Sequence, residues 1–248
     1  TRIREHLRKA VNEAKRNTSW IQPSEAWLEA GDRFVDAILD PETGREFLAS
    51  LRRQAQWIGR LGMVNSLTQV VLKITTPGVP DFYQGSERWD LSLVDPDNRR
   101  AVDYVVRAEL TASGEKEPRW VEWLREWRTG EIKLRVTQVL LQFRSAHAAL
   151  LQRGDYRPLP TTGRFADRVV AFMRANGSER LIVVVPRLTS RLGAPPLGLV
   201  WDNTAVVVEA VDCWSDVLIG RRHGPGVELR LEQLFAELPL AVLEASCD

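Results

Sequence analysis

Hydrophobic spacing along this chain changes period once, near Gly154, and that switch limits the fold more than any other property of the sequence. Before it, apolar residues recur at steps of three and four. Ile3, Leu7, Ala10, Val11 and Ala14 in residues 2–16 mark an amphipathic helix. A second helix is expected after Pro23, with Ser24 as N-cap, Trp27, Leu28, Phe34, Val35, Ile38 and Leu39 as its buried stripe, and Asp40-Pro41 as its end. Two further helical stretches are expected over residues 43–61 and 64–76, although periodicity alone lets 70–75 be a buried strand instead. Pro77-Gly78 breaks whichever forms. Helical spacing returns at 105–110 and 120–127 and in a long run over 132–152, with Gly154 as a natural stop.

After Gly154 the pattern is β. Residues 168–174 and 181–185, joined by Asn176-Gly177-Ser178-Glu179, read as a hairpin, and 205–208, 213–219, 227–231 and 240–243 are further strand candidates, enough for a small antiparallel sandwich. The expected organisation is a mostly helical, loop-rich region over 1–153 and a β module over 154–248, an α+β chain.

With 248 residues and 44% hydrophobic content the chain can bury a substantial core. Its 34 basic residues balance 33 acidic ones, so nothing in its charge favours nucleic acid or an anionic membrane. A neutral or small polar partner fits better. No apolar run approaches the ~20 residues that span a bilayer, and the first residues are charged and amphipathic, so a cytoplasmic protein is expected. Those first residues read as mid-helix and lack an initiator methionine, which predicts a gene product that starts earlier. Cys213 and Cys247 make no disulfide framework, and His6, His147 and His223 are scattered, so neither metal nor cofactor is expected.

Chemistry concentrates in residues 76–103. Thr76-Pro77-Gly78-Val79-Pro80-Asp81-Phe82-Tyr83-Gln84-Gly85-Ser86-Glu87 is followed by Leu93-Val94-Asp95-Pro96-Asp97-Asn98-Arg99-Arg100. Turn-forming backbone here carries carboxylates and amides that can hydrogen-bond vicinal hydroxyls, guanidinium forks, and aromatic faces that can pack on sugar rings. The competing reading is a surface loop bonded only to itself, with Asp95-Pro96-Asp97-Asn98 a turn and Arg99 an ion-pair partner. Trp120, Trp123 and Trp127 share one helical face and read as packing. Trp20 and Trp27 stay open between packing and sugar contact, and Arg52-Arg53 and Arg221-Arg222-His223 read as solvated surface.

The strings at 77–87 and 93–103 resemble the eighth-strand region of maltooligosyltrehalose synthases, enzymes of the α-amylase clan. Thr18-Ser19-Trp20-Ile21, Asn65-Ser66-Leu67, Val185-Pro186-Arg187-Leu188 and Trp214-x-Asp216-Val217-Leu218-x-Gly220 are also similar to that family. Ala101 departs from it, standing where proline is common; a stiffer turn is lost but no chemical group is. The resemblance implies that 1–153 is the last part of a (β/α)8 barrel with extra helices, that 79–84 is its final strand, that 64–76 is helix, and that 154–248 is the antiparallel β domain after the barrel. It implies an enzyme that turns the reducing-end α-1,4 bond of a maltooligosaccharide into an α,α-1,1 bond.

Retaining chemistry of that kind needs two carboxylates about 5 Å apart. In the clan these lie on strands earlier than the opening helices here, so no Asp or Glu of this chain is assigned a catalytic role. Asp81, Tyr83, Gln84, Glu87, Asp95, Asp97, Arg99 and Arg100 are the expected substrate-binding residues. The expected partners are a maltooligosaccharide and the missing N-terminal part of the barrel, and the chain by itself is expected to be inactive. A clan-related hydrolase and a noncatalytic carbohydrate-binding module are the alternatives.

Overall fold

In the computed structural model, which describes residues 1–112, 118–209 and 213–246, the chain divides into two compact units. One comprises Thr1–Ile58 with Asp90–Val102, the other Gly59–Trp89 with Asp103–Asp248.

In the first unit, α1 (Arg2–Ala14) and α2 (Glu25–Leu39) form a pair whose connection is held by Thr18. The Thr18 hydroxyl donates to the buried Asn12 side chain and accepts from the Ser24 N–H, both at 3.0 Å. Arg8 reaches across to Asp32 at 2.8 Å, and Gly31 leaves room for Leu7, which would sit 3.2 Å from a Cβ there. Ser24 does occupy the N-cap, without a capping side-chain bond. The stripe expected on α2 is only partly buried: Leu28 and Val35 are inside, whereas Trp27, Phe34 and Leu39 are exposed, because α1 covers a single face. Asp40 then turns the chain by accepting from the N–H groups of Glu42 and Thr43, bonds that lower its pKa. Gly44 is needed beyond it, since a Cβ would lie 2.2 Å from the Ile38 carbonyl oxygen.

The two helical stretches expected after this turn are one helix, α3 (Arg45–Thr75). Residues 70–75, which periodicity left open, are helical. Val64, Leu67, Val70, Val71 and Ile74 are all buried, and a helix covered on several sides loses the one-sided stripe that separates it from a strand.

The second unit continues with α4 (Tyr104–Ala112), α5 (Trp120–Arg125), α6 (Glu131–Ala146) and α7 (Ala148–Arg153). The single helix expected over 132–152 is interrupted at His147, whose backbone leaves the helical region while its ring stacks on Phe143 and sits 3.0 Å from Glu179 and 3.5 Å from Glu244. Trp120 and Trp123 are buried edge to face, and the Trp120 indole donates to the Leu218 carbonyl at 2.8 Å, so that stripe is packing.

The strands are β1 (Asp155–Pro158), β2 (Thr161–Thr162), β3 (Val169–Asn176), β4 (Glu179–Pro186), β5 (Ala205–Val207), β6 (Cys213–Asp216), β7 (Arg222–His223), β8 (Glu228–Arg230) and, after a one-turn helix α8 (Leu231–Leu234), β9 (Ala241–Ser246). They form an antiparallel six-stranded sheet ordered β1-β3-β4-β9-β6-β7 and a three-stranded sheet ordered β2-β5-β8. The expected hairpin pairs Asn176 with Glu179, and Gly177 (φ 60°) supplies the left-handed turn residue. The larger sheet is covered on both faces. Ile182 and Val184 meet Val206 and Leu229 of the smaller sheet, whereas Leu181, Val183 and Val185 pack with Leu67, Val71, Leu140 and Leu150 of the helices. That two-sided burial is why β4 reads as an unbroken apolar run.

Three further expectations change. Residues 79–84 form no strand: a barrel strand makes its ladder with parallel neighbours, and none lies beside this segment among the described residues. The Arg221-Arg222-His223 cluster is not plain surface, since Arg221 pairs with Glu237 and His223 is buried in β7 opposite Trp214. Strands β1, β2 and β7 are additional; they are short and polar and carry no apolar alternation. Cys213 starts β6, half-buried, and Cys247 lies outside the described residues. No helix is long and apolar enough to cross a membrane, and no cluster suited to a metal ion occurs among the described residues.

Candidate functional site

The residues singled out between 76 and 103 fall into two groups, one in each unit. Asp81, Tyr83, Gln84 and Glu87 belong to the second unit. Lys73 on α3 donates to the Asp81 carbonyl at 2.9 Å and places its ammonium 3.7 Å from the centre of the Phe82 ring, which leaves the Asp81 carboxylate exposed. A tight turn follows: the Tyr83 carbonyl accepts from both the N–H (3.1 Å) and the hydroxyl (2.6 Å) of Ser86, with Gly85 at φ 86°. The Tyr83 ring is 59% exposed, and the Gln84 amide oxygen accepts from the Tyr104 hydroxyl at 3.3 Å.

Glu87 is not available in the same way. Arg107 on α4 pairs with it through Nε, while its other two nitrogens donate to the Asp103 carbonyl (2.8 Å) and the Gly85 carbonyl (3.0 Å). One guanidinium therefore closes the loop at three points. Beyond Glu87 the chain is pinned by Arg88 to the Thr129 carbonyl and by the Trp89 indole to the Trp127 carbonyl.

Asp95, Asp97, Arg99 and Arg100 belong to the first unit. Asp97 opens a short 3-10 turn, Asp97–Arg99, and its carboxylate is nearly buried. Arg2 donates Nε to Oδ1 and Nη2 to Oδ2, each at 2.7 Å, and the Leu93 N–H donates to Oδ2 at 2.6 Å. These bonds, Arg2 foremost, hold the Asp97 carboxyl well below the usual carboxylate range. Arg100 adds a longer contact at 3.4 Å and donates to the Asp97 carbonyl at 3.1 Å. Lys9 on α1 donates to the Asp95 carbonyl at 2.8 Å. Arg99 pairs with Asp95 and is otherwise open to solvent, its side chain 74% exposed.

The eight residues thus divide by availability. Glu87 and Asp97 have their carboxylates committed to arginines, Asp95 pairs with Arg99 while partly exposed, and Asp81, Tyr83, Gln84, Arg99 and Arg100 present polar groups to solvent. The Asp97 carboxylate, held ionised by the bidentate Arg2 guanidinium, cannot serve as a proton donor near neutral pH. What the segment offers is hydrogen bonding and an aromatic face, suited to holding hydroxyl groups. Arg2, Lys9, Lys73 and Arg107 complete these contacts and were not expected from sequence. Only Arg107 had a local signal, lying four residues after Asp103 and inside the helix expected over 105–110; Arg2 and Lys9 lie far upstream.

No family model matches the chain. Curated proteins of two Mycobacterium tuberculosis strains (CDC 1551 / Oshkosh and ATCC 25618 / H37Rv), each described as a putative maltooligosyl trehalose synthase, are 35% identical to it over 98% of its length. The solved maltooligosyltrehalose synthase of Arthrobacter ramosus superposes with a TM-score of 0.80 at 31% identity over 99% of this chain. The chain is similar to a C-terminal portion of maltooligosyltrehalose synthases. A further solved structure, a hypothetical maltooligosyltrehalose synthase of Sulfolobus tokodaii, gives 0.65 at 28% identity over 98% of the chain. The chain spans 28% of the length of the curated maltooligosyltrehalose synthases and 30% of the Arthrobacter one.

Proposed function

We propose that this chain is the C-terminal part of an intramolecular transglucosylase of trehalose biosynthesis, a cytoplasmic enzyme without metal or cofactor. It converts the reducing-end α-1,4 bond of a maltooligosaccharide into an α,α-1,1 bond. In this reading residues 1–153 are the closing part of the catalytic barrel, residues 154–248 are the β domain after it, and the rest of the barrel is the partner that completes the site. The observation that carries the reading is similarity over 98 to 99% of the chain to proteins described as maltooligosyltrehalose synthases.

The geometry at 76–103 supports a positioning role over a chemical one. Asp81, Tyr83 and Gln84 in one unit, and Arg99 and Arg100 in the other, each present groups that can hold sugar hydroxyls, with Asp95 braced by Arg99. Glu87 and Asp97 keep the loop in shape. Glu87 and Asp97, both committed to arginines, are not available for retaining chemistry, and the isolated chain is inactive.

The test has two arms, both with maltopentaose. The purified 248-residue chain should give neither trehalose-ended product nor glucose. The Arthrobacter ramosus enzyme with this chain in place of its corresponding portion should give trehalose-ended product. A folded chimera releasing only glucose would point to a hydrolase, glucan binding without turnover to a noncatalytic module, and trehalose-ended product from the isolated chain would refute the division of labour.

A further inference from the structure

Helix α3 ends against two guanidiniums that have no carboxylate partner among the described residues. Arg174 on β3 is fully buried, and Arg144 on α6 is 9% exposed. Arg174 donates to the carbonyls of Thr75 (2.7 Å), Gly154 (2.8 Å), Asp155 (3.2 Å), Leu151 (3.2 Å) and Leu150 (3.3 Å). Arg144 donates Nη1 to the Ile74 carbonyl and Nη2 to the Gly78 carbonyl at 2.6 Å. Burial lowers the pKa of both, and for Arg174 the nearby Arg144 cation lowers it further, yet an arginine keeps its charge in a protein. The compensation comes from helix ends. The last carbonyls of α3 and α7 lie at the negative end of each helix dipole, and of those that Arg174 meets on α7 only Leu150 also accepts a backbone cap, from the Gly154 N–H at 3.0 Å.

Desolvating a cation without a counter-ion opposes folding, and an apolar side chain of similar volume would avoid that cost. What the guanidinium adds is geometry. Its planar fork bridges the Ile74 and Gly78 carbonyls across Pro77, a residue with no N–H to continue the ladder. Gly78 lies at φ 122°, a conformation that other residues rarely adopt, so the chain has little else to fix its direction there. The next fixed point is the Asp81 carbonyl, held by Lys73, and Tyr83 follows directly.

We propose that Arg144 is a positioning residue for the 81–87 half of the candidate site: by holding the Ile74 and Gly78 carbonyls in one rigid fork it sets the direction in which the chain leaves α3, and so where Tyr83, Gln84 and Glu87 are presented. The meaning of that site rests on the glucan reading; the positioning itself needs no glucan to be measured.

The experiment is amide hydrogen exchange on the 248-residue chain carrying Arg144→Ala or Arg144→Lys. In the alanine variant the two hydrogen-bonded amides that flank the segment, Thr76 (to the Leu72 carbonyl, 2.9 Å) and Ser86 (to the Tyr83 carbonyl, 3.1 Å), should exchange about tenfold faster or more, the loss expected for charge-assisted hydrogen bonds, while the amides of the β3–β4 hairpin keep their rates. Lysine, a point charge that cannot bridge both carbonyls, should give an intermediate rate. Millimolar ethylguanidinium should slow exchange again in the alanine variant, and propylammonium should not; a side chain that only fills space would show no such rescue. Unchanged loop rates in Arg144→Ala, or acceleration spread evenly through the hairpin, would overturn the proposal. If the alanine variant does not fold, wild-type loop rates in Arg144→Lys would overturn it as well. Either result leaves the transglucosylase assignment untouched, and failure of that assignment leaves the exchange pattern as expected.

Discussion

Arg2 and Asp97, 95 residues apart in sequence, meet with both nitrogens of a guanidinium edge on both oxygens of a carboxylate, each at 2.7 Å. Because Arg2 foremost lowers the Asp97 pKa, the pair favours the folded state above the ordinary aspartate value of about 4, and that contribution is lost as pH falls through the depressed folded value. Arg2→Met should bring the Asp97 carboxyl titration back toward the ordinary range, read by carbon NMR of the side-chain carboxyl. A titration that stays in place would show that the Leu93 N–H alone holds the carboxylate.

Asp97 and Arg99 should therefore behave differently in a full-length enzyme carrying this loop. Asp97→Asn removes the charge from a nearly buried, doubly gripped carboxylate, so melting temperature should fall with little change in the ratio of trehalose-ended product to glucose. Arg99 is largely exposed, so Arg99→Lys should leave melting temperature alone and, by loosening a charged contact to the sugar, slow rearrangement roughly tenfold and raise the glucose fraction. If Arg99→Lys left both rate and product ratio unchanged, Arg99 would have to be removed from the site.

Helices were legible because their apolar spacing survives as amphipathicity, and the β3–β4 hairpin because Asn176-Gly177-Ser178-Glu179 links two apolar runs. Residues 70–75 were ambiguous for a physical reason: burial on several sides erases the polar face that would have given the period away. Strands β1, β2 and β7 sit at sheet edges or in two-residue pairings, where alternation has no length to show. At the candidate site the loop chemistry was legible but its wiring was not. That Glu87 is taken by Arg107 and Asp97 by Arg2 depends on which distant side chains the fold brings near, and nothing in the local spelling of Asp-Pro-Asp-Asn encodes it.

On the first unit, Trp27 and Phe34 of α2 lie seven residues apart, and Phe47, Leu51 and Ile58 of α3 follow four- and seven-residue steps; all five are more than 40% exposed. Stripes at helical spacing on a surface mark a face made for a partner. The isolated chain should bind an apolar dye and show concentration-dependent light scattering, and replacing Phe34 and Ile58 by glutamine should reduce both. A clean monomer that binds no dye would mean that these stripes need no cover.

Asp216 gives the clearest pH signature. It is buried at the end of β6, where Oδ1 accepts from the N–H groups of Leu218 (2.8 Å) and Ile219 (3.1 Å) and Oδ2 has no hydrogen-bond partner. Burial pushes its carboxyl up to about 7, against the pull of those two bonds and of Arg221. An unfolded chain releases this proton near 3.9, so between about 4 and 7 the folded protein binds a proton that the unfolded chain does not. Stability from this group is therefore complete below about 4 and is lost as pH rises through about 7. Asp216→Asn keeps an oxygen for Leu218 and Ile219 and never ionises. Three pH units at about 1.4 kcal/mol each predict that the difference in unfolding free energy shifts by on the order of 4 kcal/mol in favour of the variant between pH 4 and 8. Urea unfolding of both proteins at pH 4.5, 6 and 8 (roughly the start, middle and end of the interval) measures it. Because every other titrating group is common to the two proteins, a difference that stayed constant across these conditions would mean that Asp216 is ionised throughout and that the turn after β6 accommodates the charge.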